Sequence, residues 1–294
     1  MRSEQLERIH NGRGFIAALD QSGGSTPKAL RLYGLDETSY TNEAEMFNLV
    51  HEMRTRIITS PSFSSTRILA VILFEETMKR EIENLSTAEY LWKVKGIPSF
   101  LKVDNGLREE SNGVQLMKDI PQLPSRLKSG ISHNVIGTKM RSVIKTANPE
   151  GIKAILDQQF ELAKEIIAQG LLPIIEPEVD IHSSSKAEAE KILLEGLTSH
   201  LGALSTQGKV MLKLTLPEER NLYKVLLSHP NIVRIAALSG GYSREEANKR
   251  LAENDGLIAS FSRALTEGLT AQQSEEDFDE TLNQSIESIF LASH

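Results

Sequence analysis

The sequence predicts an α/β chain folded into a single (β/α)8 barrel, one domain over residues 1–294 with helical extensions at its ends. Three observations carry this. Eight short apolar runs of strand length follow one another along the chain, and helix-start signals and helical periodicity lie between most of them. A barrel of about 250 residues plus extensions then accounts for the length without a linker or a second domain.

The runs are Phe15 to Leu19, Ile68 to Phe74, Ser99 to Val103, Val135 to Met140, Leu172 to Ile175, Val210 to Leu214, Ile232 to Leu238 and Leu257 to Phe261. Both faces of these runs are apolar, as expected of parallel strands covered by helices outside and packed against one another inside. Among the helices, Asn42 with Glu45 reads as a capping box ahead of Met46, Phe47, Val50, Met53 and Ile57, which recur at helical spacing. Asn148-Pro149 opens a second helix, whose Ile152, Ile155, Leu156, Phe160, Ala163 and Ile167 share one face until Gly170. Ser185 with Glu188, and Ser243 with Glu246, start two more. A last helix from near Ser274 carries the stripe Phe278, Leu282, Ile286 and Ile289, which predicts docking on the body.

Composition narrows the function classes. Zero cysteines exclude disulfides, thiolate catalysis and Cys-ligated zinc or iron–sulfur clusters, and are compatible with a reducing cytoplasm. No apolar run approaches the roughly 20 residues that span a bilayer, and the polar stretch Met1 to Gly14 has no signal-peptide core, so the expectation is a cytoplasmic protein with no membrane partner. A balance of 33 Lys+Arg against 40 Asp+Glu, net −7 and without a basic block, argues against a nucleic-acid partner. It leaves room for a small anion held by a few local cations. The sequence carries no signal for oligomeric state.

Polar residues gather at the carboxyl ends of the runs: Asp20, Lys102 with Asp104, Lys139 with Arg141, Glu176 with Glu178, Lys213, Ser239, and Ser262 with Arg263. Strand side chains alternate, so a spacing of two puts each of these charged pairs on one face, and in a barrel the carboxyl ends build the active site. A single charged strand end is often just solvated. Acids and cations from so many strands at one end instead describe a pocket for a phosphorylated substrate.

Lys213 stands out, because Val-Met-Leu-Lys-Leu-Thr sets an amine in an otherwise apolar strand. Burial near Lys139 and Arg141 favours a neutral, nucleophilic amine able to form a Schiff base with a carbonyl, while an ion pair with Glu176 is the alternative. Two segments suit phosphate. Leu238-Ser239-Gly240-Gly241, ahead of a capped helix, offers backbone N–H groups with Arg263 beside it. Gln21-Ser22-Gly23-Gly24-Ser25 offers hydroxyls from Ser22 and Ser25, with Lys102 and Arg141 as cationic partners. The seven histidines are scattered, without a ligand-spaced pair, and neither GxGxxG after the first run nor GxxxxGK[ST] occurs, so no metal and no nucleotide cofactor is expected.

These strand-end segments resemble class I fructose-bisphosphate aldolase, the Schiff-base-forming glycolytic enzyme built as a TIM barrel. The likeness runs through Ala-Val-Ile-Leu-Phe-Glu-Glu-Thr at 70–77, Leu-Lys-Val-Asp-Asn-Gly at 101–106, Lys-Met-Arg at 139–141, Pro-Ile-Ile-Glu-Pro-Glu at 173–178, Leu-Ser-Gly-Gly at 238–241 and Phe-Ser-Arg-Ala-Leu at 261–265. It implies that Lys213 is the Schiff-base lysine, Glu176 the acid/base that helps dehydrate the carbinolamine, and Asp20 the carboxylate for the C4 hydroxyl proton. Lys139 matches a lysine close to the imine, and Glu178 a neighbouring acid that tunes the lysines. Arg141 and Lys102 match ligands of the six-phosphate, and Ser239, Gly240 and Arg263 those of the one-phosphate; Gly241 and Ser262 adjoin them. Gln21, Ala29 and Met140 depart from the acid, arginine and aromatic common in animal relatives. Residues 290–294, Phe-Leu-Ala-Ser-His, do not match the tyrosine-ended tail of eukaryotic members, so the likeness is to the short bacterial type.

The implied activity is reversible cleavage of fructose 1,6-bisphosphate to dihydroxyacetone phosphate and glyceraldehyde 3-phosphate, with no cofactor. The alternatives are a Schiff-base aldolase for another sugar phosphate and a non-catalytic sugar-phosphate sensor; the sensor would be marked by loss of Lys213, Glu176 or Asp20, all of which are present.

Overall fold

The computed structural model describes residues 2–293; Met1 and His294, the last of the seven histidines, lie outside them. Eight parallel strands form the barrel: β1 (Phe15–Leu19), β2 (Ile68–Leu73), β3 (Ser99–Lys102), β4 (Gly137–Ile144), β5 (Leu172–Val179), β6 (Val210–Thr215), β7 (Ile232–Leu238) and β8 (Ile258–Phe261). Their order around the sheet is β3-β2-β1-β8-β7-β6-β5-β4. Pairing of Phe100 with Gly137 through Lys102 with Lys139 closes β3 on β4. Each predicted run is a strand. Three end later than expected: β6 by one residue, at Thr215, and by more β4, which continues through Arg141 to Ile144, and β5, which continues through Glu178 to Val179. Their charges are therefore part of the strands, where alternation turns Lys139, Arg141, Glu176 and Glu178 toward the barrel axis.

That alternation divides the core. Ile16, Ala18, Ala70, Ile72, Phe100, Leu172, Ile174, Met211, Ala236 and Ile258 form the filling of the lower barrel. The intervening Ala17, Leu19, Val71, Leu101, Ile175, Leu212, Leu214, Ala237 and Phe261 face the helices in a larger outer cluster. The apolar filling gives way upward to Asp20, Lys102, Lys139, Glu176 and Lys213, so the same twofold period that builds the core delivers the charges to its carboxyl-end mouth.

The helices are α1 (Arg2–Asn11), α2 (Ser25–Leu32), α3 (Glu43–Thr59), α4 (Glu75–Lys79), α5 (Thr87–Lys93), α6 (Leu123–Ser132), α7 (Pro149–Ala168), α8 (Lys186–Gly202), α9 (Arg244–Ala252), α10 (Arg263–Thr266) and α11 (Glu275–Ala292); a 3-10 segment, Leu222–Ser228, connects β6 to β7. Asn42, Asn148, Ser243 and Ser274 cap their helices as the sequence predicts. In the first box Glu45 reaches back to the N–H of Thr41 and not to that of Asn42. Ser185 precedes α8 without capping it. Its Oγ accepts from the N–H of Ala147, tying α8 to the loop before α7. The stripe of α11 is wholly buried.

Helix α1 had no apolar stripe to announce it. It closes the bottom of the barrel with one fully buried apolar residue, Ile9, which joins the inner cluster. Arg234 of β7 donates to the carbonyls of Ile9 and Gly12, and Arg8 to that of Ile68, so arginines stitch the plug to the strands where apolar contact is sparse.

Candidate active site

At the carboxyl end of the strands lies a cavity of about 340 Å³. Asp20, Ser25, Lys102, Lys139, Arg141, Glu176, Glu178, Lys213, Ser239, Gly240, Ser262 and Arg263, twelve of the residues expected from the sequence, line it. Two others do not. The N–H of Ser22 donates to Ser25 Oγ, which donates back to the Ser22 carbonyl, so this pair organises the turn into α2. Gly241 sits behind Gly240 with φ +127°, and a Cβ there would meet the Arg263 guanidinium and Ile181.

The floor is a chain of alternating charges, all nearly inaccessible to water. Glu176 Oε1 is 3.0 Å from Lys213 Nζ, and Glu176 Oε2 is 2.7 Å from Lys139 Nζ. Lys139 Nζ also donates to Asp20 Oδ2 at 2.9 Å. The ion pair weighed for Lys213 is thus present, but its acid is shared between two lysines. Burial opposes the charge on Asp20, yet Lys139 and Lys213 outweigh it and hold the carboxyl well below the usual range. Burial likewise opposes the charge on Lys139, and Asp20, Glu176 and Asp104 overcome it, holding the amine well above the usual lysine range. Lys139 is therefore a fixed cation beside Lys213.

Toward the mouth, Lys102 Nζ meets Asp104 Oδ1 at 2.6 Å and Arg141 Nε meets Glu178 Oε2 at 2.5 Å. The Glu178 contact raises the Arg141 pKa against the effect of burial. Around the closed sheet β3 stands opposite β7, and β4 opposite β8. Lys102 and Arg141 therefore face Ser239, Gly240 and Arg263 across the cavity, with Lys213 between the two sets. Arg263 has no carboxylate partner among the described residues. In the same set, no group of three or more His, Asp or Glu side chains could hold a metal ion, and no helix is long and apolar enough to cross a membrane.

The family model for class I fructose-bisphosphate aldolase matches residues 3–270. The fructose-bisphosphate aldolase class 1 of Synechocystis is 59% identical over 290 residues, 99% of this chain and 97% of that protein. The chain belongs to the class I fructose-bisphosphate aldolase family. In fold, it is similar to the Plasmodium falciparum fructose-bisphosphate aldolase at a TM-score of 0.80, with 20% identity and coverage of 99% of this chain and 93% of that one. A Corynebacterium glutamicum structure matches at 0.58, with 14% identity over 99% and 92% of the two chains. The enzyme thus cleaves fructose 1,6-bisphosphate reversibly through a lysine Schiff base, without a metal.

Several residues of the aldolase cavity were missed in the sequence. Lys28 of α2 lines it as a second cation with no carboxylate partner among the described residues. Ser260 of β8 aims a buried hydroxyl that has no hydrogen-bond partner there. Lys28 is neither a strand end nor part of a Gly/Ser segment, and Ser260 lies inside an apolar run, so neither signal that found the others marks them. Gln159 of α7 carries no sequence signal at all. Wholly buried, its amide accepts from the N–H of Glu176 at 2.9 Å and donates to the carbonyl of Glu176 at 3.2 Å, gripping the residue that spans both lysines. Gln159→Leu is expected to lower stability by about 1–3 kcal/mol, since it leaves buried peptide groups unpaired. Urea unfolding measures this, and an unchanged midpoint would show that the strand needs no such clamp.

Proposed function

We propose that Lys213 forms the Schiff base in this aldolase, that Glu176 exchanges the protons of imine formation, and that Asp20 accepts the proton of the substrate C4 hydroxyl. The observation that carries the reading is the single Glu176 carboxylate in contact with both buried lysines. Lys213 passes a proton to Glu176, and the freed amine adds to the C2 carbonyl. The resulting carbinolamine loses its hydroxyl as water when Glu176 supplies a proton, leaving an iminium. That cation draws in the electron pair of the C3–C4 bond while the C4 hydroxyl proton passes to Asp20, which its lysines keep ionised and ready to accept. Glyceraldehyde 3-phosphate departs, an enamine remains, and a proton at C3 followed by hydrolysis returns dihydroxyacetone phosphate. Lys139 stays charged throughout and stabilises the carboxylates on either side.

In this reading the bisphosphate spans the cavity. The six-phosphate lies toward Ser22, Ser25, Lys102 and Arg141, and the one-phosphate toward Ser239, Gly240, Gly241, Ser262 and Arg263; Glu178 orients Arg141. We further infer a single catalytic domain over residues 1–294 and a cytoplasmic site of action, in keeping with a cysteine-free glycolytic enzyme. Borohydride reduction in the presence of fructose 1,6-bisphosphate, followed by peptide mapping, tests the nucleophile. Label on Lys213 is expected, and label on Lys139 instead would overturn the assignment. For the phosphate end, Arg263→Ala should weaken dihydroxyacetone phosphate by about ten- to a hundredfold, the loss of a charge-assisted donor worth ~1.5–3 kcal/mol. Unchanged affinity by calorimetry would remove Arg263 from this site.

A further inference from the structure

The mechanism leaves idle the largest wholly buried side chain of the molecule, Arg54 on α3. No carboxylate lies within ion-pair distance of it among the described residues, and burial lowers its pKa to about 10 while Asp20 acts in the opposite sense, so it remains a cation at neutral pH. Its guanidinium donates to Thr77 Oγ1, to the carbonyl of Gln21 at 2.6 Å and to Gln21 Oε1 at 3.3 Å.

A guanidinium has donors only, so the side chain of Gln21 must turn its oxygen toward Arg54 and its amide nitrogen the other way. That nitrogen donates to Ser262 Oγ, across the seam between β1 and β8. Ser262 Oγ makes no other hydrogen bond among the described residues. Since its oxygen accepts from Gln21, its own hydrogen is left for the cavity, which Ser262 lines next to Arg263, Ser239 and Gly240. Without Arg54 the amide could flip, present its oxygen to Ser262 and draw that hydrogen away. The grip on the Gln21 carbonyl also anchors a loop that continues into Gly23 and Gly24.

We propose that Arg54 and Gln21 are positioning residues that fix Ser262 as a hydrogen-bond donor to the phosphate at the ketose end, an inference that rests on the one-phosphate assignment above. The cavity-facing serine is polarised by a buried cation that never touches substrate. One loop thereby connects the first strand, which carries Asp20, to the phosphate site at the eighth.

The relay predicts a pattern across variants of the full-length enzyme, read as the Kd of dihydroxyacetone phosphate by calorimetry. In Gln21→Glu the carboxylate only accepts, so it binds Arg54 and captures the Ser262 hydrogen; affinity should fall about tenfold, as in Ser262→Ala. Combining Gln21→Glu with Ser262→Ala should cost little more than either alone, because both remove the same donor. Gln21→Met, which frees the hydroxyl without capturing it, should fall between the native enzyme and Gln21→Glu. In steady-state kinetics the loss should be larger in KM than in kcat. Wild-type affinity in Gln21→Glu, a roughly hundredfold loss in the double variant, or a Met variant as weak as the Glu variant would each overturn the relay. Arg263→Ala is titrated beside these variants. If Arg263→Ala and Ser262→Ala both bind dihydroxyacetone phosphate as the native enzyme does, the one-phosphate assignment fails; if both weaken it while Gln21→Glu does not, or the losses multiply, only the relay fails.

Discussion

Lys213→Met is expected to abolish both the covalent adduct and turnover while the barrel stays folded. Methionine keeps most of the apolar stem of the lysine and lacks only the amine, and below Lys213 on the same face of its strand lies Met211 of the apolar barrel filling. The charge ledger also favours folding. Glu176 loses Lys213 but keeps Lys139 at 2.7 Å, so no buried carboxylate is stranded without a cation. The catalytic loss is of a different order. With no nucleophile there is no iminium to accept the C3–C4 electron pair, and loss of an enzyme's nucleophile can cost on the order of 10⁶ in rate. Intact-mass measurement after borohydride reduction reads the adduct directly, and circular dichroism reads the fold. An adduct surviving in this variant would make another lysine the nucleophile, with Lys139 the first candidate by proximity.

The barrel was legible because its strands are nearly pure aliphatic runs, from Phe-Ile-Ala-Ala-Leu at 15–19 to Ile-Ala-Ser-Phe at 258–261. A charge ends such a run to the eye but not in the molecule. Lys139, Arg141, Glu176 and Glu178 point inward and pair with one another, Lys139 with Glu176 and Arg141 with Glu178, so β4 and β5 carry on through them. The charged floor of the cavity was legible because acids and cations at the carboxyl ends of several strands, some of them paired at spacing two, have few other uses. Gln159 and Arg54 were not. Each acts on backbone atoms remote in sequence, Glu176 for one and Gln21 for the other, and a polar residue that serves a distant peptide group leaves no local pattern. Helix α1 was hidden differently, for it plugs the barrel with Ile9 alone and relies on arginine bonds to carbonyls in place of an apolar face.

Glu176→Gln should separate the two halves of imine formation. The amide has the volume and shape of the carboxylate, and Gln159 still holds the backbone of residue 176, so the side chain keeps its place between Lys139 and Lys213. What changes is the hydrogen-bond currency. A carboxylate accepts from both lysines, whereas an amide turns one oxygen to one of them and an NH2 donor to the other. Lys139 retains Asp20 at 2.9 Å and stays an ammonium with donors only, so the amide oxygen turns to Lys139 and the NH2 to the side of Lys213 or its carbinolamine. An amide there can orient the departing hydroxyl but cannot give it a proton. Addition of the amine should therefore persist and dehydration should slow, by the roughly 10²–10⁴ that general acid catalysis contributes. Single-turnover kinetics with borohydride quench would show substrate bound at near-native concentration and trapped iminium rising slowly over that span. If trapping proceeds within a few-fold of the native rate, the proton comes from elsewhere, and the carboxylate shared by the two lysines serves only to hold them apart.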